Sequence, residues 1–194
     1  MIKKENPWEN NRHNGLPSPT EQKRRYLDMM VLDVPDFPKK GIVFKDISYI
    51  LSDWRALHII EDLISSDYLS YKPDYVACIE ARGFLLGSFI ARGLGAGIIP
   101  IRKVGKLPRD TYKESYPLEY GTDTLEIHKD CIEPNSKVLL IDDVLATGGT
   151  AKAATQLIEK CKGIIIGTAF LIELKALKGR DKLDGIKVTS ILEY

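Results

Sequence analysis

This sequence predicts an α/β fold with a mostly parallel central sheet flanked by helices, and three observations carry the prediction. Short apolar runs alternate with amphipathic stretches from Tyr75 to Ile172, the rhythm of βαβ units whose sheet is covered on both faces. Two of those runs, Cys78-Ile79 and Val138-Leu139-Leu140-Ile141, empty into charged turns that lead into a helix, and open α/β sheets bind ligands at such strand ends. The chain has 194 residues, the length of one domain and enough to bury about 70% of its unfolded surface.

Residues 1–19 are rich in Asn, Glu, Lys and Pro with no sustained apolar period. They read as a disordered tail ahead of a single domain over residues 20–194. Thr20 to about Leu32 is expected to be helical, with Thr20 as cap and Tyr26, Leu27, Met30 and Val31 as its apolar stripe. Pro35 and Pro38 then break regular structure. Between Asp53 and Tyr68, the residues Trp54, Leu57, Ile60, Leu63 and Ile64 share one face of a core helix capped by Ser52. Tyr75–Ile79 reads as a strand, Gly83–Leu94 as a helix, and Gly97–Ile101 and Lys137–Ile141 as strands. Thr150–Lys162 follows as a helix and Gly163–Ile172 as a long β-branched strand. The segment from Lys103 to Pro134 interrupts the rhythm. Long and polar, with Thr111, Tyr112, Tyr116 and Tyr120 among alternating residues, it is expected to be a β-hairpin or flexible flap rather than core.

Composition narrows the functional classes. Apolar residues make up 44% and charged residues 28% of the chain, ordinary values for a soluble globular protein. A formal charge of +1 gives no global attraction to nucleic acid or to an anionic membrane. No stretch approaches the roughly 20 apolar residues of a membrane span, and the first residues lack the apolar core of a secretory signal. Cys78, Cys131 and Cys161 have no metal-site spacing, and their odd number argues against a disulfide framework. The expectation is a cytoplasmic protein acting on small molecules, with no nucleic-acid or membrane partner.

The run from Val138 to Thr150, VLLIDDVLATGGT, is the most specific segment. Thr147, Gly148, Gly149 and Thr150 offer successive backbone N–H groups and two hydroxyls at a helix N-terminus, where a phosphate monoester fits. Asp142 and Asp143 would repel a phosphate; they suit a sugar's hydroxyls, a metal ion or a developing cation. No Lys follows the glycines as in a Walker loop, and the G-x-G-x-x-G spacing is missing. Phosphate, sugar and positive charge in one loop point to phosphoribosyl chemistry.

Four further clusters complete the pattern. In Glu80-Ala81-Arg82-Gly83, Arg82 stands at a strand-to-helix turn, either in a surface pair with Glu80 or presenting a fork to pyrophosphate. A cis non-proline peptide within Glu80–Arg82 is a specific expectation, since such bonds collect at ligand clamps. Arg102, Lys103 and Lys106 follow a strand end, as a solvated face or as cations placed to neutralise a diphosphate. Glu119 lies among bulky residues, either an exposed hairpin carboxylate or an acid/base group whose pKa burial raises. Phe44, within Gly41–Ile47, is either a core residue or a surface on which a flat heterocycle stacks beside Val43.

Together these segments resemble the adenine-specific family of type I phosphoribosyltransferases. The resemblance runs from about Pro35 to Tyr194; Leu118-Glu119-Tyr120-Gly121 and Leu177-Lys178-Gly179-Arg180 are the parts specific to that family. It implies the type I fold with a small hood and a flap over about 103–134. It implies purine salvage by transfer of ribose 5-phosphate from 5-phosphoribosyl-1-pyrophosphate to N9 of adenine, giving AMP and pyrophosphate. On this resemblance Ala146 to Thr150 hold the 5-phosphate and Asp142 and Asp143 the ribose hydroxyls. Arg82, Arg102, Lys103 and Lys106 bind pyrophosphate, some of them from the neighbouring subunit of a homodimer. Val43, Phe44 and Lys45 contact adenine, and Glu119 and Arg82 are the catalytic residues. Mg2+ is held mainly through the substrate's pyrophosphate and not by the protein directly. The family carries Arg where this chain has Lys45. The nearest rivals are a transferase for a 6-oxopurine, which would need donors and acceptors matched to the 6-oxo group, and a ligand-sensing regulator, which would carry an added basic surface.

Overall fold

A computed structural model describes residues 17–117 and 121–194. In chain order the elements are α1 (Pro19–Asp28), β1 (Leu32–Pro35), β2 (Val43–Asp46), α2 (Ser48–Ser52), α3 (Trp54–Tyr68), β3 (Tyr75–Ile79) and α4 (Arg82–Leu94). They continue with β4 (Gly97–Lys103), β5 (Thr111–Pro117), β6 (Thr122–His128), β7 (Lys137–Leu145), α5 (Gly149–Lys160), β8 (Ile164–Glu173) and β9 (Val188–Glu193). One sheet has the order β5-β6-β4-β3-β7-β8-β9, and β1 and β2 form a separate pair. Strands β4, β3, β7, β8 and β9 are parallel, and β6 and β5 extend the β4 edge as an antiparallel ladder.

Alternate residues of the central strands face opposite layers, as two-sided burial requires. Val76, Cys78, Leu139 and Ile141 pack with Ile60 and Ile64 of α3 and Leu86 and Ile90 of α4. Ala77, Ile79, Val138 and Leu140 pack with Ala153, Ala154, Leu157 and Ile158 of α5. Leu125 and Ile127 of β6 and Tyr116 of β5 belong to that second cluster. The segment from Lys103 to Pro134 is therefore a hairpin, as expected, but its frame is core, contrary to expectation. The alternation along β6 is lost because Leu125, Glu126 and Ile127 are all buried.

The N-terminal third differs from the sequence expectation in three places. Ser18, not Thr20, caps α1: its hydroxyl accepts the Glu21 N–H at 3.2 Å and the Glu21 carboxylate accepts the Ser18 N–H at 2.7 Å, closing a capping box. The helix stops at Asp28 rather than Leu32 because Leu32–Pro35 pairs antiparallel with Val43–Asp46. Pro35 therefore closes an edge strand, where its missing N–H is tolerated, instead of breaking structure. Asp53, not Ser52, caps α3, accepting the N–H groups of Arg55 and Ala56 at 2.8 and 2.9 Å. The buried row is then Ala56, Ile60, Ile64 and Tyr68, spaced by four, and Trp54 in the first turn stands 71% exposed.

Helix α4 approaches β3 through Gly87, where a Cβ would lie 1.9 Å from Cys78 Sγ. Burial pushes the Cys78 thiol up to about 12, leaving it a packing group rather than a nucleophile. Gly87→Ala is expected to lower stability by about 1–3 kcal/mol through overpacking, and the loss should shrink in a Cys78→Ala background. Urea unfolding of the four combinations measures this; equal costs in both backgrounds would contradict the contact.

Candidate active site

β7 runs to Leu145, past the expected end at Ile141, with Asp142 paired to Phe170 and Val144 to Ile172 of β8. The two carboxylates thus stand on a buried strand rather than on the loop beyond it. Asp143 is 7% exposed, and its N–H donates to Asp142 Oδ1 at 2.9 Å. Burial, and then the charge of Asp143, push the Asp142 carboxyl well above the usual carboxylate range. Beyond them Gly148 turns with φ +76 and Gly149 opens α5. Asp142, Ala146, Thr147, Gly148 and Thr150 line one small cavity of about 70 Å³ at that N-terminus. Successive amides at the positive end of a helix suit this cavity to an anion.

A second backbone segment crosses the turn. A Cβ on Gly148 would lie 2.2 Å from the Gly179 carbonyl oxygen, and one on Gly179 would lie 2.2 Å from that of Ala146. Arg180 holds the crossing segment in place. Its Nε and Nη2 donate to the two oxygens of Glu173, the first at 3.1 Å, and its Nη1 donates to the Val188 carbonyl at 2.9 Å. Ser190 Oγ donates to the same Glu173 at 2.7 Å. Arg180's hydrogen bond holds the Glu173 carboxyl below its ordinary value, against burial that leaves it 3% exposed.

The β3–α4 turn supplies Arg82, and the Glu80–Ala81 peptide there is cis, as the sequence suggested. Arg82 Nη2 lies 2.6 Å from Asp143 Oδ2, and its guanidinium sits 4.7 Å from the centre of the Phe44 ring. The sequence offered Glu80 as Arg82's partner; instead Glu80 accepts from Arg102 Nε at 2.6 Å. Phe44 stacks edge-on against Phe37, with centroids 5.1 Å apart. Ile42, Val43, Phe44 and Lys45 of the β1–β2 hood line a cavity of about 180 Å³ with Arg82, Val144, Ala146 and Leu174. Leu174 lines the same cavity; in the sequence it has no site role, only a place after a long β-branched strand and within the stretch that resembles the family. Lys45 reaches that cavity wall, but its amine is engaged by Asp33 at 2.6 Å and by the Tyr194 ring at 3.9 Å. Neither contact needs the planar fork of an Arg.

Arg102 and Lys103 close β4 at the same sheet edge. Arg102 Nη1 donates to the Lys106 carbonyl at 3.2 Å, and Lys103 Nζ lies 3.1 Å from Asp123 Oδ2. The hydrogen bond to Asp123 raises the pKa of Lys103. Glu126, which the sequence did not mark, accepts the N–H groups of Lys106 and Leu107 at 3.0 Å each and the Thr111 hydroxyl at 3.2 Å. Burial raises its carboxyl, and those donors outweigh burial and leave it lowered. Pro117, at the end of the β5 ladder, has its carbonyl 3.4 Å from where a Gly149 Cβ would be. Glu119 and Tyr120 lie outside the described residues.

A phosphate-sized anion cradle that shares its strand with two acidic residues, beside a basic strand end and an apolar slot, defines the class of type I phosphoribosyltransferases. The family model described as a phosphoribosyl transferase domain matches residues 50–192. A relative from Trichodesmium erythraeum (strain IMS101), an adenine phosphoribosyltransferase, is 51% identical over 168 residues, covering 87% of this chain and 99% of its own. The solved adenine phosphoribosyltransferase of Thermoanaerobacter pseudethanolicus superposes with a TM-score of 0.86 at 46% identity, covering 88% and 99% of the two chains. That of Saccharomyces cerevisiae, complexed with an imino-altritol bisphosphate and adenine, gives 0.84 at 36% identity, covering 88% and 99%. The chain belongs to the adenine phosphoribosyltransferase family.

Two expectations follow. Because the folded pKa of Glu173 is lowered, its contribution to stability is complete above its unfolded value near 4.5 and is lost as pH falls through the folded value. The stability gap between the parent and Glu173→Gln should therefore be widest near neutrality and close in acid; a gap independent of pH would rule out the ionised pair. Gly179→Ala should weaken binding of a ribose 5-phosphate ligand by at least about tenfold, about the size of one lost charged hydrogen bond, and calorimetric titration would test this.

Proposed function

We propose that this chain transfers ribose 5-phosphate from 5-phosphoribosyl-1-pyrophosphate to N9 of adenine, releasing AMP and pyrophosphate in purine salvage. The observation that carries the reading is a slot lined together by Val43 and Phe44 of the hood and by Val144 and Ala146 beside the anion cradle. A flat base in that slot stands next to a sugar whose phosphate is in the cradle. Membership of a family whose solved yeast member holds adenine and a bisphosphate supports the same assignment.

The backbone of Ala146 to Thr150 and the hydroxyls of Thr147 and Thr150 hold the 5-phosphate, while Asp142 and Asp143 hold the ribose hydroxyls and stabilise the cationic sugar as the C1–O bond to pyrophosphate breaks. Arg82 has five N–H donors, so it can keep Asp143 and still reach the diphosphate. Arg102, Lys103 and Lys106 complete that cationic wall. N9 of adenine attacks the anomeric carbon, and Glu119 takes the N9 proton; closing of the hairpin excludes water that would hydrolyse the activated sugar. Among the described residues no group of three His, Cys, Asp or Glu side chains is placed to hold a metal, and the acidic pair is committed to Arg82 and to a neighbouring amide. Those donors fit a Mg2+ that arrives on the substrate, which neutralises the departing diphosphate when bound. We place the enzyme in the cytoplasm as a homodimer, with three free cysteines among the described residues and exposed apolar side chains such as Leu85 and Ile98 in support.

Turnover of adenine with no comparable turnover of guanine, hypoxanthine or xanthine is the expected result of a free-base assay, and use of guanine alone would overturn the reading. Asp143→Asn and Glu119→Leu should each lower kcat by about a hundredfold or more with circular dichroism unchanged. Near-parental kcat in both would remove their assigned roles.

A further inference from the structure

We infer that Glu126 is a positioning residue for pyrophosphate, folding the Gly105–Leu107 turn around its carboxylate so that the ammonium group of Lys106 is presented to the diphosphate. This rests on the proposed role of Lys106 as a pyrophosphate ligand. Glu126 sits at 2% exposure in the middle of β6, opposite Arg102 in the β4–β6 ladder and Lys113 in the β5–β6 ladder. A buried carboxylate in the middle of a sheet is costly unless its acceptor sites are filled. Here Oε1 takes two successive backbone N–H groups, of Lys106 and Leu107, and Oε2 takes the Thr111 hydroxyl.

The consequence for Lys106 is specific. Its N–H is held by Glu126 at 3.0 Å and its carbonyl by Arg102 Nη1 at 3.2 Å, so its peptide is pinned from both sides. Gly105, with φ +82, makes the turn that brings the two amides onto one oxygen. Among the described residues the Lys106 amine itself has no partner, whereas Arg82, Arg102 and Lys103 each already face a carboxylate. A fixed backbone under an uncommitted cation is a preorganised donor, and preorganisation lowers the ordering cost of binding a charged ligand. Glu126 touches no reacting atom in this arrangement; it acts through Lys106.

The test is a double-variant cycle in the full chain, using Glu126→Gln, Lys106→Ala and the pair. The readouts are the KM values of both substrates, binding of inorganic pyrophosphate with Mg2+, and thermal unfolding. Glu126→Gln is expected to raise the KM of the phosphoribosyl substrate and weaken pyrophosphate binding by about tenfold, the size of one lost charged hydrogen bond. The KM of adenine should stay within about twofold. In the Lys106→Ala background the same change should add less than about twofold, because its effect is already gone. Glu126→Asp keeps the buried charge but withdraws its oxygens by one methylene, and should show the same selective loss if the Gln variant does not fold. Equal loss for both substrates, or a full tenfold loss without Lys106, would overturn the inference. If Lys106→Ala weakens pyrophosphate but the Glu126 variants do not, the inference alone fails. If Lys106→Ala changes nothing, the pyrophosphate assignment fails and takes the inference with it.

Discussion

The ion pair between Arg82 and Asp143 is the contact on which the rest of the site depends. It ties the first residue of α4 to the end of β7, two elements brought side by side by the parallel β3–β7 ladder. Through the same guanidinium it sets the height of the hood, since Arg82 also lies over the Phe44 ring. With Asp143 10% and Arg82 31% exposed in their side chains, desolvation offsets much of the Coulomb gain, and pairs of this kind contribute little net stability. What the pair supplies is register: the Phe44 slot on β2 is fixed in position relative to the acidic end of β7 and the glycine turn that follows it.

The cations of the site are mostly answered in advance. Glu80 holds Arg102, Asp123 holds Lys103 and Asp143 holds Arg82. Such a site is less positive than its lysines and arginines suggest, and on the proposed assignment a diphosphate shares or displaces carboxylates as it enters. Sharing is possible for the two arginines, whose remaining N–H groups are free to turn to a second acceptor. Lys103 is different: an ammonium is a point charge, so its move from Asp123 is an exchange.

The sequence revealed the features whose signals are local. The apolar run into two Asp and a glycine turn and the strand that leads into the turn at Arg82 each lie within a dozen residues, and their outlines agree with the structure, whereas the caps of α1 and α3 fall at Ser18 and Asp53 instead of Thr20 and Ser52. It did not reveal features that need a distant partner. Leu32–Pro35 is four residues with an Asp and a Pro, and becomes a strand only because Val43–Asp46 lies opposite. Asp142 and Asp143 read as loop because carboxylates rarely extend a buried strand, yet β8 on one side and the head of α4 on the other hold them there. Glu126 gives no alternation signal, and its partners, Lys106 and Leu107, are about twenty residues away. β9 follows two short 3-10 turns whose purpose shows only in space, where Gly179 meets the phosphate turn.

That crossing also explains how the hairpin and the tail, specific to the family in the sequence, bear on a phosphate cradle common to the class. From one side Gly179 presses on Ala146 and Gly148; from the other, Tyr116 and the Pro117 carbonyl approach Gly149 at 3.4 Å from where its Cβ would be. The turn is clamped between two segments that are themselves anchored in the sheet, β5–β6 through Leu125 and Ile127, and the tail through Glu173 and Arg180. On the proposed assignment, a phosphate in the turn meets backbone whose position is already set by the segments packed on either side of it. The described parts of β5 and β6 thus form a frame anchored in the core, on which the glycine turn of α5 rests.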